Sequence, residues 1–358
     1  MVKLLQLNKY TFAGTQLKKI CSCVFLFVLS CRLHSAQPIT SPETLTPPDT
    51  SPVFELVTLG DAGGIQDGNL SAFLLRALSE PNYIALDAGT LVNGINVALS
   101  NNAFEALPVI TDKTLSAPGN ILHHHIKGYL ISHGHLDHVA GLLIASPDDN
   151  EKPIYALKSV NQTMSDTYFN WQAWANFTDR GTPPLLNKYQ VIDLAPQQSL
   201  RLKNTQLQVT AFSLSHPLES TAFVIEYQDN LFVYFGDTGP DEVEEQGKLA
   251  TVWRYLAKQM QTKKLKGLVI EVSFDNRQTD HLLFGHLTPK WLMSELTYFY
   301  SLVDNKQQFQ NIQVIISHIK YSLKSGLDPR DKIQQELQQG NTLGFNFILA
   351  KQGQRIIF

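Results

Sequence analysis

Cysteine is scarce in this sequence, and all of it lies near the N-terminus. Only three of the 358 residues are cysteines, Cys21, Cys23 and Cys31. If the first 36 residues are removed, the remaining chain has no thiol, no disulfide and no cysteine metal ligand. A domain without cysteine suits an oxidising compartment such as a periplasm.

Basic side chains are also in short supply beyond that segment. Residues 1–36 carry five of the 29 lysines and arginines and no acidic residue. The remaining 24 basic residues face 32 acidic ones, which gives a net charge of −8. Binding to a nucleic-acid polymer depends on neutralising phosphates with cations, so this balance argues against such a partner.

The sequence has no hydrophobic run long enough to span a bilayer. The longest candidate, ICSCVFLFVLSC at 20–31, follows several lysines and has the length of a signal-peptide core. We therefore expect residues 1–36 to be a signal peptide cleaved after Ala36, although His34 is a poor residue three positions before that cut. VLSC at 28–31 also resembles a lipoprotein box, which would leave Cys31 acylated, and an N-terminal core helix is the remaining alternative. The expected location is periplasmic or secreted.

Residues 37–52, QPITSPETLTPPDTSP, are rich in proline, serine and threonine, which is typical of a linker. From residue 53 to 358 short apolar runs alternate with turn signals, which predicts one α/β domain. Helical periods predict helices at 69–78, 242–260 and 288–303. The predicted strands are 53–60, 83–90, 126–132, 207–215, 221–228, 230–237, 265–273 and 312–318.

The most informative stretch is YLISHGHLDHVAGLL at 129–143. In an extended segment residues two apart point the same way, so His133, His135 and Asp137 can converge, with His138 facing a neighbouring point. Imidazole nitrogens and carboxylate oxygens suit zinc and other divalent first-row metals. Four such groups predict one metal site and part of a second.

Three more metal-competent residues follow apolar runs elsewhere in the chain. His216 comes after VTAFSLS, Asp237 after LFVYFG and His318 after VIIS. Each lies where a predicted strand ends, which is where the ligands of a two-metal site are expected to meet.

Together these motifs resemble the metallo-β-lactamase fold and, within it, the class II cyclic-nucleotide phosphodiesterases. HGHLDH alone indicates only the superfamily, whereas its combination with GDTGPD and GHLTP is far more specific. The matching pieces span residues 59–322: LGDAGGIQDGNLSAFLL (59–75), ALDAGT (85–90), ISHGHLDHVAGLL (131–143), SHPLESTAFVIE (215–226), YFGDTGPDEVE (234–244), FGHLTPKWLMSEL (284–296) and ISHIKYS (316–322).

The resemblance implies a four-layer αββα sandwich with two divalent metal ions, most naturally zinc, at the edge between its sheets. By position, one ion would be held by His133, His135 and His216 and the other by Asp137, His138 and His318, with Asp237 bridging them. A hydroxide shared by the two ions would attack the phosphorus of a 3′,5′-cyclic nucleotide, preferably cyclic AMP, and release a 5′-monophosphate.

Several further residues are candidates for supporting roles. Asp137 and His286 are the predicted catalytic residues, and His286 would contact the phosphate or assist the leaving group; its structural alternative is a residue ahead of a helix capped by Thr288 and Pro289. The resemblance makes Asp87 an orienting partner of a ligand histidine. Possible substrate contacts are Asn69, Ser71, His281 and His286, whereas His123, His124 and His125 are expected at the surface or behind the site.

Three other functions stay open from the sequence. Another hydrolase of the same fold, such as a thioesterase, lactonase, β-lactamase or tRNA 3′-processing nuclease, would share the metal ligands. The acidic charge and the leader argue against the nuclease, and GHLTP favours the phosphodiesterase. A non-catalytic cyclic-nucleotide-binding or metal-binding protein would be expected to lose ligands, and none is missing. A structural or adhesive exported protein is the third alternative. The sequence does not choose an oligomeric state.

Overall fold

The computed structural model describes residues 51–108, 112–325 and 328–358. The predicted leader (1–36) and all but the last two residues of the predicted linker lie outside the described residues. Within them, two seven-stranded sheets and a two-stranded sheet carry the fold. No helix in these ranges is both long enough and apolar enough to cross a bilayer.

The first sheet mixes antiparallel and parallel pairs, and most of its strands are buried on both faces. Such strands read as continuous apolar runs rather than as alternating ones, as FELVTLG in β1 illustrates. The strands are β1 (Phe54–Gly60), β3 (Ala72–Ala77), β4 (Tyr83–Leu86), β5 (Ile126–Leu130), β6 (Lys152–Leu157), β7 (Tyr189–Leu194) and β16 (Arg355–Ile357), in the spatial order β16-β1-β3-β4-β5-β6-β7.

The second sheet begins with an antiparallel meander and ends with parallel strands. Its strands are β8 (Ser199–Arg201), β9 (Gln208–Leu214), β10 (Ser220–Tyr227), β11 (Asn230–Phe235), β12 (Lys264–Glu271), β13 (Gln313–Ser317) and β15 (Asn346–Leu349), in the order β15-β13-β12-β11-β10-β9-β8. A third, two-stranded sheet pairs β2 (Ala62–Gly63) with β14 (Ile319–Lys320).

Helices cover the outer face of each sheet. Within the described residues these are α1 (Val92–Ser100), α2 (Ala117–Asn120), α3 (Leu136–Ala145), α4 (Lys158–Thr167), α5 (Asp241–Glu244), α6 (Lys248–Gln259), α7 (Pro289–Leu302) and α8 (Pro329–Gly340), with a π-turn at Ile121–His125 and 3-10 turns at Asp280–Leu282 and Lys306–Asn311. Helix α7 begins as its sequence predicts, because the Thr288 hydroxyl accepts from the Trp291 N–H and Pro289 occupies the first turn.

Core packing on the two faces of the second sheet shows how the layers are arranged. On β10, Phe223 and Ile225 pack with the first sheet, α1, α3 and α4, whereas Val224 points the other way and packs with α6, α7 and α8. The sheets meet through ring pairs such as Phe73 and Tyr234, whose centroids are 5.9 Å apart. This arrangement is the four-layer αββα sandwich that the sequence predicts.

Two of the helix predictions are wrong in detail. Residues 69–78 do not form a helix; Ala72–Ala77 is strand β3, because a short, fully buried apolar run carries no period that separates strand from helix. The helix predicted at 242–260 is divided into α5 and α6. Glu245 (φ +55°) and Gly247 (φ +62°) adopt left-handed conformations that interrupt it.

Candidate metal centre

The predicted ligands meet at one edge of the sandwich because several strands end there. Strands β4 and β5 are parallel, as are β11, β12 and β13, so their carboxyl ends lie together. His133 and His135 follow β5, Asp237 follows β11, and His318 lies between β13 and β14. Strand β9 runs antiparallel to β10, as β11 does, and therefore delivers His216 to the same edge.

The first group of ligand atoms comes from three loops, one at the end of a strand of the first sheet and two at strand ends of the second sheet. His135 Nδ1 lies 3.0 Å from His133 Nε2 and 3.2 Å from His216 Nε2. Asp237 Oδ2 is 3.7 Å from His133 Nε2 and 3.8 Å from His216 Nε2. These four ligand atoms all lie within 4.8 Å of one another, which is compact enough to surround a single cation.

The second group lies beside the first. His318 Nε2 is 3.1 Å from His138 Nε2 and 3.2 Å from Asp137 Oδ2. Asp237 reaches this group as well, with Oδ1 3.3 Å from His138 Nε2 and Oδ2 3.3 Å from His318 Nε2. The structure thus brings together all seven predicted ligands and places Asp237 between the two groups.

The hydrogen bonds behind the imidazoles show that these residues fit a metal. The Nδ1 of His133 faces Ser132 Oγ at 3.0 Å, and that of His318 faces Ser273 Oγ at 3.0 Å. The Nδ1 of His216 faces the carbonyl of Gly285 at 2.8 Å. A histidine that donates through Nδ1 presents a lone pair on Nε2, so the converging Nε2 atoms are acceptors that face acceptors. A divalent cation satisfies such an arrangement.

Asp87 has the orienting position that the sequence assigns to it. Its Oδ2 accepts from His138 Nδ1 at 2.7 Å. The same carboxylate accepts from the Ser132 N–H at 2.6 Å, the Ser132 hydroxyl at 2.7 Å and the Tyr234 hydroxyl at 2.6 Å. Because Ser132 also faces His133, one buried carboxylate orients a histidine of each group.

Burial and neighbouring charges set the protonation of the cluster. Burial lowers the pKa of His216 to about 4 and lowers that of His133 well below its usual range, so both are neutral at pH 7, as metal ligands must be. Burial opposes ionisation of Asp137 too, but His138 and His318 outweigh it and lower the carboxyl's pKa. For His138 the carboxylates of Asp237 and Asp87 outweigh burial and raise the pKa, so a bound metal has to displace a proton there.

Backbone conformation also supports the cluster. His318 has φ +56°, a strained value for a residue other than glycine, and its N–H donates to the Asp61 carbonyl at 2.8 Å. Gly63 faces the His318 ring so closely that an added Cβ would lie 2.4 Å from it. The next residue, Gly64, donates its N–H to Asp137 Oδ2 at 2.8 Å. Gly63 is therefore required because a side chain would collide with His318, whereas Gly64 has free space around it and is favoured by its φ of +79°.

His286 lies against the cluster and is fixed by a residue that the sequence interpretation missed. Its Nδ1 donates to Glu271 Oε1 at 2.8 Å and is 3.8 Å from Asp237 Oδ2. Burial opposes protonation of His286, but Glu271 and Asp237 outweigh it and raise its pKa. Glu271 also accepts from the N–H of Thr238 and from Ser273. The available signal was a lone carboxylate inside the apolar run LVIEVS.

The remaining candidates are spread more widely. Asn69 uses its amide on Asp61 and Gln66, and Ser71 is buried. His281 is exposed on the 3-10 turn at Asp280–Leu282. The histidines at 123–125 lie elsewhere: His123 bonds the Asp148 carbonyl and His125 the Pro81 carbonyl. Direct substrate contact by Asn69, Ser71 or His281 stays a prediction.

Two facing sheets with a histidine and aspartate cluster at their shared edge define a metallohydrolase of the metallo-β-lactamase fold. Solved structures agree on the fold. Unliganded yeast PDE1 matches with a TM-score of 0.74 at 22% identity, over 86% of this chain and all of that one. The metallo-β-lactamase fold protein YhfI from Bacillus subtilis matches with a TM-score of 0.56 at 16% identity, over 86% of this chain and 100% of that one.

The sequence comparisons identify the family. The family model of the class-II cAMP phosphodiesterases matches residues 54–353. A 3′,5′-cyclic-nucleotide phosphodiesterase of Aliivibrio fischeri is 46% identical over 85% of this chain and 93% of its own length. A probable 3′,5′-cyclic-nucleotide phosphodiesterase of Yersinia pestis is 45% identical over 84% and 88%. The chain belongs to the class-II cAMP phosphodiesterases, which confirms the family that the sequence motifs indicated.

Proposed function

We propose that this enzyme hydrolyses 3′,5′-cyclic nucleotides, with cyclic AMP as its substrate, to nucleoside 5′-monophosphates. The observation that carries the proposal is that six metal-competent side chains lie in two groups beside Asp237 in a chain of this family. We further propose that the two groups hold two divalent ions, and that these are zinc, because imidazole and carboxylate are ligands that zinc accepts.

The seven predicted ligands would be shared between the two ions. His133, His135, His216 and Asp237 would hold one ion, and Asp137, His138 and His318 the other. When bound, the ions would supply an activated water and positive charge beside the phosphoryl oxygens. Asp87 and Ser132 keep His138 and His133 in the tautomer that presents Nε2.

His286 would give a proton to the departing 3′-oxygen. Glu271 bonds Nδ1 and raises the pKa of the imidazole, which favours the protonated form that a proton donor requires. Asp137, the other predicted catalytic residue, is held by the Gly64 N–H and by His318. His286 also lies within 4.8 Å of ligand atoms of Asp237 and His318, so metal analysis of a His286 variant must accompany its kinetics.

A substrate screen with metal analysis tests the proposal. We expect the purified protein to contain about two divalent ions per chain and to hydrolyse cyclic AMP or cyclic GMP, but not a thioester or a β-lactam. Treatment with a chelator should remove the metal and the activity together. Hydrolysis of the thioester or the β-lactam without cyclic-nucleotide hydrolysis would assign the chain to another activity of the same fold.

We also propose that the enzyme is exported. The supporting observations are the basic residues ahead of a short apolar run in the first 36 residues and the absence of cysteine beyond them. Expressed in a Gram-negative host, the protein should be found outside the cytoplasm and should be shorter by roughly 30–36 residues. Fatty-acid labelling at Cys31 would favour the lipid-anchored form, and an intact N-terminus in the cytoplasm would contradict export.

A further inference from the structure

Phe284 combines two features that an aromatic residue seldom shows together. Its side chain is 62% exposed although its neighbours Leu283 and Gly285 are buried. Its φ is +52°, in the left-handed region, where a bulky side chain is strained. Exposure gives up the burial that usually stabilises phenylalanine, and strain of this kind is concentrated at ligand sites. Phe284 is therefore a candidate for ligand contact.

The backbone around Phe284 is fixed directly against the metal cluster. The carbonyl of Gly285 accepts from His216 Nδ1 at 2.8 Å, and the next residue is the buried His286. A Cβ added at Gly285, which has φ +73°, would lie 2.8 Å from the His216 ring and 3.0 Å from its Cα. Phe284 thus projects from a rigid turn, one residue away from a group that orients a predicted ligand.

The metal cluster can bind the phosphodiester of the proposed substrate but has no group that would bind its base. A cyclic nucleotide joins a charged phosphodiester, which suits the cations, to a flat and largely apolar base. Two further apolar side chains near the cluster are also exposed: Leu136, between His135 and Asp137, and Ile65, next to Gly64, are each 59% exposed. Aromatic side chains bind nucleobases by stacking, because every base presents a π-face.

We propose that Phe284 is the platform on which the base of the cyclic nucleotide stacks while the phosphodiester lies at the metal cluster. The proposal rests on the proposed cyclic-nucleotide phosphodiesterase activity and adds a residue that determines affinity for the base. It also explains why a strained, exposed phenylalanine follows the buried Leu283: the turn that carries Gly285 to His216 directs the ring outward.

The test uses metal-loaded, full-length protein and two substrates that differ only in the base. Phe284→Ala should raise KM for cyclic AMP roughly tenfold to a hundredfold and leave kcat within a few fold, because stacking stabilises the ground state and the transition state alike. Ribose 3′,5′-cyclic phosphate, which lacks the base, should be hydrolysed equally by both proteins. Phe284→Tyr and Phe284→Trp should restore the lower KM, and calorimetric binding of 5′-AMP should follow the same order.

A glycine variant separates binding from folding. Glycine adopts a positive φ without strain, so Phe284→Gly should melt at a higher temperature than Phe284→Ala and yet show the same increase in KM. Leu200→Ala is the matched control. Leu200 is 37% exposed on β8, paired with Val209, at the end of β9 opposite to His216. Its loss should change neither KM nor 5′-AMP binding.

Two results would overturn the proposal. One is an unchanged KM for cyclic AMP in the alanine and glycine variants. The other is an increase in KM in Tyr321→Ala instead, since Tyr321 is 51% exposed three residues after His318 and would then be the platform. Failure of the proposed activity is distinguishable from both, because the unaltered enzyme would then hydrolyse neither cyclic AMP nor cyclic GMP.

Discussion

The first sheet carries a buried polar network at each end, and the two networks are neutralised in different ways. At the end where β1 begins, Glu55 accepts from Arg76 Nε at 2.8 Å, Arg76 Nη2 at 2.9 Å and Arg355 Nε at 2.7 Å. The Tyr83 hydroxyl donates to the same carboxylate. Every acceptor there faces a donor from the chain itself, so this end needs nothing from solution.

The opposite end is different. Among the described residues, the ion-pair partners of Asp137 and Asp237 are all histidines. Several of those histidines use Nδ1 elsewhere and face one another through Nε2. The comparison shows that burial and polarity alone do not distinguish a structural network from a metal centre. What distinguishes them is the partner of the carboxylates: permanently charged guanidinium groups in one network, and imidazoles that can give up a proton and bind a metal in the other.

The largest expected effect comes from removing the carboxylate between the two metal groups. Asp237→Ala should lower the metal content and reduce cyclic-nucleotide hydrolysis by more than about 100-fold, which exceeds the usual effect of losing an outer partner of a ligand. Metal analysis and steady-state kinetics on the same sample provide the check. Asp304→Ala, an exposed aspartate, is the control and should behave as the unaltered enzyme. Full metal content in the Asp237 variant would remove this residue from the ligand set.

His286 should separate a proton donor from a ligand. His286→Ala should retain both metals but reduce kcat for cyclic AMP by roughly 10²–10⁴-fold. The effect should be much smaller with an aryl phosphodiester, whose leaving group scarcely needs a proton. Loss of metal would instead make His286 a ligand, and unchanged rates on both substrates would leave it a structural residue ahead of α7.

Glu271→Gln should also reduce kcat more for cyclic AMP than for an aryl phosphodiester, but by less than His286→Ala does. It weakens the bond that holds His286 Nδ1 and leaves the imidazole in place. Glu295→Gln is the matched control: Glu295 is also buried, but it bonds Trp253 and the Asp241 N–H. If the two variants show the same kinetics, Glu271 does not act through His286.

At the end of the first sheet that contains Glu55, we expect a substitution to change stability and not activity. Glu55→Gln leaves Arg76 and Arg355 without their carboxylate, so the free energy of unfolding should fall by about 3–5 kcal/mol at pH 7. Denaturant unfolding measures this loss. Glu226→Gln is the control, since its partly exposed pair with Lys263 should contribute no more than about 1 kcal/mol.

The loss of stability in Glu55→Gln should depend on pH, and its direction follows from the pKa of Glu55. Burial opposes ionisation of Glu55, but bonds from Arg76 and Tyr83 outweigh it and lower the pKa below the ordinary 4.5. A carboxyl with a lowered pKa stabilises the folded state above its unfolded pKa and loses that contribution as the pH falls through the folded value. The stability difference between the two proteins should therefore shrink below about pH 4.5. A difference that grows on acidification would contradict this assignment.

The sequence predicted the ligands better than the residues behind them. His133 and His135 converge after β5 as their spacing predicts, and family motifs supplied most of the remaining ligands. The same alternation placed Asp137 with them and was wrong there: α3 begins at Leu136, so Asp137 lies in a helical turn and joins His138 and His318 instead. Glu271 and Ser273 lie inside or just after an apolar strand, so only the fold shows that they face His286 and His318. The strand at Ala72–Ala77 was missed for a related reason: burial on both faces removes the alternation that identifies a strand.

The smallest of these effects would test the link between the two groups of the metal centre. Asp87→Asn keeps the shape of the side chain but removes the charge that accepts from His138 and Ser132. Metal affinity should fall by about 10–100-fold, the usual cost of removing an outer carboxylate, while the fold is retained. Because Ser132 also faces His133, both metal sites should weaken, whereas a partner of His138 alone would weaken one. Competition with a fluorescent chelator measures the affinity for each of the two ions separately. An unchanged affinity for one ion would confine the role of Asp87 to the group of His138.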